Sequence, residues 1–271
     1  AAMDTTYLSD WGTALMASLS AALAMLFSSV PKIMGFLIIV LAGTLDFARF
    51  LATRTALRAA VGEVVRSARP EWTEYALAGA LAEALWGRGL RPLLLLVAGE
   101  ERLFRHRHPL PKGKPLGRAF MAVVCAERGG LVANLTRMAS FGHGEVEARY
   151  RKVLEVEAAA LSASRPGATL GEVFAALQGA YARVGFPRAW GEHHQGGVGG
   201  YRSREVVATP GHPLVLEAGM VLAWNPSLSG AKVEDTFLLT EGGLLNLTED
   251  PFWPAVEVEG RRRPDLWRGG G

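Results

Sequence analysis

Between Glu192 and Glu205 the sequence EHHQGGVGGYRSRE gathers adjacent imidazoles (His193, His194), a carboxamide (Gln195), a phenol (Tyr201), a guanidinium (Arg204) and a carboxylate (Glu205) around four glycines. Imidazoles titrate near neutrality and serve as proton carriers. Glycines at this density let a backbone approach a ligand closely and adopt positive φ. Asn225-Pro226 follows, then Lys232-Val233-Glu234-Asp235. Lys232 suits either pairing with Glu234 or taking an anion. Arg204, beside Tyr201, offers a bidentate fork to a carboxylate. Glu205 and Glu234 are placed to orient a cation or to raise the pKa of an imidazole. The plainer alternative for Glu192–Glu205 is a Gly-rich hairpin turn carrying incidental polar groups.

Positioning these groups falls to a series of helices and strands. Trp72–Trp86 (WTEYALAGALAEALW) has amphipathic helical spacing and stops at Gly87–Gly89; Leu93–Val97 is an apolar run of strand length. Two apolar runs, Ala119–Ala126 and Leu131–Phe141, joined by Glu127-Arg128-Gly129-Gly130, predict a hairpin. Gly144–Ser164 predicts a long helix, and Thr169 with Glu172 a capping box opening a helix over 170–184. Strands and turns fill the remainder. Helix pairs and strand pairs thus occur twice in similar order.

The chain has 271 residues, 49% of them apolar and 20% charged, enough for one large domain or a domain with an appendage. A net charge of +3 is too mild to point to nucleic acid. Arg261-Arg262-Arg263 predicts a solvated basic tail. The lone Cys125, inside an apolar run, predicts a buried thiol and a reducing compartment. From Trp11 to Leu45 the only charge is Lys32, which points to membrane contact through residues 11–50: an interfacial helix, a break at Pro31, then a spanning helix. The run from Pro31 to Ile39 resembles the first membrane helix of small-conductance mechanosensitive channel relatives. Arg49, Arg54 and Arg58 after the apolar run put the C-terminal part in the cytoplasm. A wholly cytoplasmic protein is the alternative. A secretory signal is the weaker reading, because Asp4 and Asp10 occupy the place of a basic n-region. The expected division is a helical leader over 1–60 and a domain over 61–271.

Taken in order, four motifs resemble the C-terminal half of the pita-bread family of Xaa-Pro aminopeptidases, prolidases, methionine aminopeptidases and creatinase. His193-x-x-Gly196-Gly197-Val198-Gly199-Gly200 is similar to the family's His-x-x-Gly-His-Gly-x-Gly turn; Arg204-Glu205 stands for its His-Glu pair, Asn225-Pro226 for its Glu-Pro and Glu234-Asp235 for its Glu-Asp. Upstream, Asn134-Leu135-Thr136-Arg137 resembles the Asp-x-Thr-Arg strand. The resemblance implies an α+β pita-bread fold over residues 61–271. Many of the family's peptidases carry an additional N-terminal domain, and here the apolar leader stands in its place. Many also dimerise, which makes a homodimer the expectation.

Family peptidases hold two divalent metals with Asp, Asp, His, Glu and Glu. Carried over by the resemblance, these fall on Val123, Asn134, Gly197, Asn225 and Glu234. One anionic ligand of the five survives, whereas divalent ions need several. The resemblance therefore implies no metal and no other cofactor. It also implies that His108 and His193 are the substrate-side histidines, with Glu205 retained from the His-Glu pair. That pattern is similar to creatinase, a metal-free member with a histidine acid/base and glutamates gripping a guanidinium. The expected activity is hydrolysis of a small peptide, amide or guanidino compound, with His108, His193, Glu205 and Glu234 in catalysis. His194, Gln195, Tyr201, Arg204, Asn225 and Lys232 would bind substrate. The alternatives are a non-catalytic relative that binds a peptide or protein partner, and a conventional metal-dependent aminopeptidase.

Overall fold

The computed structural model describes residues 52–269. The expected membrane contact through residues 11–50 lies outside them. Among the described residues no helix is long and apolar enough to cross a membrane.

A helix α1 runs through residues 52–67, continuous across position 60. Its Leu57, Ala60, Val61, Val64 and Val65 are buried in one cluster with Leu77, Leu81 and Leu85 of α2 (Glu74–Trp86), so the compact unit takes in residues on the N-terminal side of 61. Thr73 caps α2, its hydroxyl accepting from the Ala76 amide. Strands β1 (Arg91–Gly99), β2 (Ala119–Arg128) and β3 (Leu131–Ser140) form an antiparallel sheet in that order, and α3 (Glu100–Leu103) follows β1. The β2–β3 hairpin pairs without a slip from Ala119–Ser140 to Arg128–Leu131. Its two-residue turn needs positive φ at both positions, which Gly129 (61°) and Gly130 (86°) supply.

β2 is covered on both faces. Phe120, Ala122, Val124 and Ala126 face the α1–α2 cluster, while Met121 and Val123 belong to a second cluster with α4 (Gly144–Ala163) and α5 (Leu170–Arg183). A strand buried on both sides reads as an unbroken apolar run, which is why it is visible in the sequence. The capping box forms as expected: Glu172 N–H donates to Thr169 Oγ1 at 3.1 Å, and Thr169 N–H donates back to Glu172 Oε2 at 2.6 Å.

The C-terminal half is a second antiparallel sheet, ordered β10-β9-β6-β4-β5, with β4 (Gly196–Gly199), β5 (Val206–Val207), β6 (Val221–Trp224), β9 (Asp235–Thr240) and β10 (Gly243–Asn246). Two hairpins, β7 (Ser227–Leu228) with β8 (Ala231–Lys232) and β11 (Ala255–Val258) with β12 (Arg261–Pro264), complete it. The sheets meet where Thr136 N–H donates to the Glu234 carbonyl at 3.0 Å and Val132 N–H to the Gly200 carbonyl at 2.8 Å.

The basic run 261–263 is no solvated tail. It forms β12, and Arg263 is 1% exposed. Its guanidinium donates to both oxygens of buried Glu157 (2.8 and 2.6 Å) and to Asp235 Oδ2 at 2.8 Å. A buried guanidinium persists only with such partners.

Candidate functional site

A cleft of about 240 Å³ opens where the two sheets meet. Strand β2 contributes Val123 and Cys125, β1 contributes Leu94 and Leu96, and the loop before β2 contributes His108. His194, Arg204, Asn225, Lys232 and Glu234 line it as well. His108, His194, Arg204, Asn225, Lys232 and Glu234 are thus brought together from positions up to 126 residues apart in sequence.

The loop that delivers the histidines is fixed from behind. Gln195 is fully buried: its Nε2 donates to the carbonyls of Trp190 (3.0 Å) and His193 (2.7 Å), and the Tyr181 hydroxyl lies 2.8 Å from its Oε1. Gln195 shapes the loop rather than facing the cleft. Next to it, β4 lies so close to its neighbours that a Cβ on Gly196 would stand 2.3 Å from the Ala223 carbonyl oxygen. Those glycines admit the backbone into a space no side chain fits.

The three imidazoles form a cluster. His108 and His194 stack at 6.0 Å with planes 16° apart, and His193 meets His108 edge-on at 5.3 Å. His193 is fully engaged: its Nδ1 donates to the His194 carbonyl at 2.5 Å, which leaves Nε2 to accept from the Ser227 hydroxyl at 2.6 Å. Burial first, then Lys232 and His108, push its pKa down to about 2, so it is a neutral fixture. A base this weak does not activate Ser227, which is itself 3% exposed. Burial, Arg204 and Lys232 push His194 down to about 4. His108 is lowered by burial and Lys232 and partly restored by Glu234; no hydrogen bond from a described residue engages its ring. Of the two histidines expected to move protons, only His108 is free to do so.

Glu234 is buried and held. Arg204 Nη2 donates to its Oε1 at 2.8 Å, and the Thr136 hydroxyl to its Oε2 at 3.0 Å. Burial alone would raise this carboxyl, but Lys232, Arg204 and Thr136 together hold it below the usual carboxylate range. Lys232 is 2% exposed; burial lowers its pKa and Glu234 offsets part of that. Its ammonium makes no hydrogen bond to any described residue. Asn225, also 2% exposed, has a buried Oδ1 without a partner.

Like His193 and Gln195, two more expected site residues do not line the cleft. Glu205 is exposed, and its Oε1 accepts from the Tyr201 amide at 2.7 Å, closing the turn after β4. Tyr201 is 65% exposed and does not line the cleft. Sequence reading missed Ser227, which anchors His193, and Cys125 and Ser203, which line the cleft. Nothing in the sequence marks these three: the first acts through a partner 34 residues away, and the others reach the cleft from a strand and from a turn far apart in the chain. Burial pushes the Cys125 thiol up to about 12, which makes it inert.

A metal pair does not fit these residues. Val123, Asn134 and Asn225 offer no charge, and Glu234 is occupied by a guanidinium. A histidine cannot be accommodated at Gly197 on this backbone: φ is +147°, and a Cβ would lie 2.0 Å from the Val206 carbonyl oxygen. Among the described residues, no three His, Cys, Asp or Glu side chains are grouped to hold an ion.

Comparison with known proteins agrees with this architecture. The chain is 31% identical over 172 residues to agropine synthesis cyclase of Rhizobium rhizogenes, covering 59% of this chain and 43% of that protein. It is 26% identical over 194 residues to the probable dipeptidase PepE of Mycobacterium tuberculosis, covering 67% and 51%. The chain therefore spans about half the length of the curated relatives it matches. Among solved structures, dipeptidase PepE from Mycobacterium ulcerans superposes with a TM-score of 0.70 at 22% identity, over 82% of this chain and 60% of that one. The prolidase from Pyrococcus furiosus gives 0.70 at 20%, over 76% and 64%. The sequence profile of metallopeptidase family M24 matches residues 51–241, about seven-tenths of the chain, and the chain belongs to that family.

Proposed function

We propose that this chain is a hydrolase of the M24 type that acts on a small peptide or amide through imidazole proton transfer instead of a metal pair. One observation supports this above the others: the only surviving anionic ligand position, Glu234, is engaged by Arg204, while His108 stands unengaged in the same cleft. His108 takes a proton from water as the oxygen adds to the amide carbon, then returns it to the departing nitrogen. His193 and Gln195 hold the wall against which His108 stacks. The creatinase-like variant with a guanidinium gripped by two glutamates draws no support, because Glu205 is turned outward and Glu234 is already paired.

The test is turnover of a panel of dipeptides and N-acyl amino acids by chelator-treated protein. Activity is expected to survive chelation, and His108→Ala is expected to lower kcat by about 10²–10⁴-fold with unchanged folding. Activity restored only by Mn²⁺, Co²⁺ or Zn²⁺ would return the chain to the conventional metallopeptidases. Binding without turnover would make it the non-catalytic relative. The apolar leader with its following arginines supports membrane attachment with this domain on the cytoplasmic side, and fractionation of the full chain against a variant lacking residues 11–50 would test it.

A further inference from the structure

We propose that the cleft selects a substrate carrying a free carboxylate, seated on the Lys232 ammonium, with an adjacent N–H taken by Asn225. This deepens the amide-hydrolase reading and rests on the same cleft.

The charges decide the sign of the ligand. The cleft is lined by two cations, Arg204 and Lys232, and one anion, Glu234. Arg204 is already committed to Glu234 at 2.8 Å, and Glu234 spends its second oxygen on Thr136. Lys232 lines the cleft at 2% exposure, and its ammonium, which keeps a trace of accessible surface, makes no hydrogen bond to a described residue. A buried charge without a hydrogen-bonded partner is costly, and an anionic ligand supplies that partner. A guanidinium or ammonium ligand would instead enter beside two cations and find its only carboxylate occupied.

The polar and apolar remainder narrows the class. Asn225 presents a buried carbonyl oxygen without a donor, which an amide N–H of the ligand satisfies. Leu94, Leu96, Val123 and Val207 supply an apolar wall for a side chain. At about 240 Å³ the cleft suits a molecule the size of an N-acylated amino acid. By residue type and position, Lys232 and Arg204 are both candidates for an anion. The fold separates them.

Calorimetric titration of the full chain with N-acetyl-L-leucine, its neutral amide N-acetyl-L-leucinamide, and agmatine tests this. The carboxylate is expected to bind about tenfold or more tighter than the amide, and agmatine weakest. Lys232→Met should bring the first two together, while Lys232→Arg keeps their order. Equal binding of acid and amide, or agmatine binding best, overturns the proposal, and this ranking on the wild-type chain decides even if a variant fails to fold. An acid preference that persists in a folded Lys232→Met protein also overturns it. Hydrolysis followed in the same samples separates the two readings. Acid preference without turnover leaves the carboxylate site standing and removes the hydrolase; turnover of the neutral amide without acid preference does the reverse.

Discussion

At the scale of single residues the site is governed by which groups are already spoken for. His193 has both ring nitrogens engaged and a folded pKa of about 2, against an ordinary 6.5. The unfolded chain therefore binds a proton that the folded chain refuses between those values. Stability from this group is complete above pH 6.5 and is lost as pH falls toward 2, at up to about 1.4 kcal/mol per pH unit. Urea unfolding at pH 7.5, 6 and 5 is expected to show this decline, with a shallower slope in His193→Gln. Cys125, pushed up to about 12, is expected to resist iodoacetamide at pH 7.5 in the folded chain and to react rapidly in guanidinium. The residue types of the site were legible in the sequence because His, Arg, Lys and Glu clustered in two short stretches. Their commitments were not: the Arg204–Glu234 pair joins positions 30 apart, and Glu205, adjacent to Arg204, faces the opposite way. Arg204 and Glu205 lie in the irregular turn between β4 and β5, where side-chain direction follows the local backbone path and cannot be assigned from spacing.

At the scale of elements, β4 limits what the cleft can become. Gly197→Ala forces a Cβ against the Val206 carbonyl and is expected to lower stability by about 2 kcal/mol or more, read as a fall in thermal midpoint. Gly197→His, the substitution that would return the family's ligand, is expected to unfold the strand rather than to capture Zn²⁺. The elements with strong local signals are the ones the sequence announces. The Glu127–Gly130 turn, the Thr169–Glu172 capping box and the helix from Gly144 each rest on chemistry within four residues or on a long period. The short strands β5, β7 and β8 rest on two residues each and have no such signal.

At the scale of the molecule, a buried ionic chain ties the helical layer to the second sheet. Glu157 of α4 meets Arg263 of β12, which meets Asp235 of β9, which meets Arg137 of β3 at 3.0 Å. Removing one member strands a buried charge, so Glu157→Ala is expected to cost about 3–5 kcal/mol by chemical denaturation. The double change Glu157→Leu with Arg263→Met is expected to cost less than Glu157→Ala alone. In the sequence the three consecutive arginines look like a solvated tail, because a charge run carries no mark of the acids that await it across the fold.

The meeting line of the two sheets gives the cleft a built-in reporter. Glu234 fastens both sheets with its carbonyl, through the Thr136 amide, and faces the ligand with its carboxylate, through Arg204 and the Thr136 hydroxyl. A ligand seated on Lys232 as proposed would sit two residues from this seam of the main chain. Deuterium uptake at the Thr136 amide should slow on loading with N-acetyl-L-leucine, a chemical clock for occupancy that runs with no turnover.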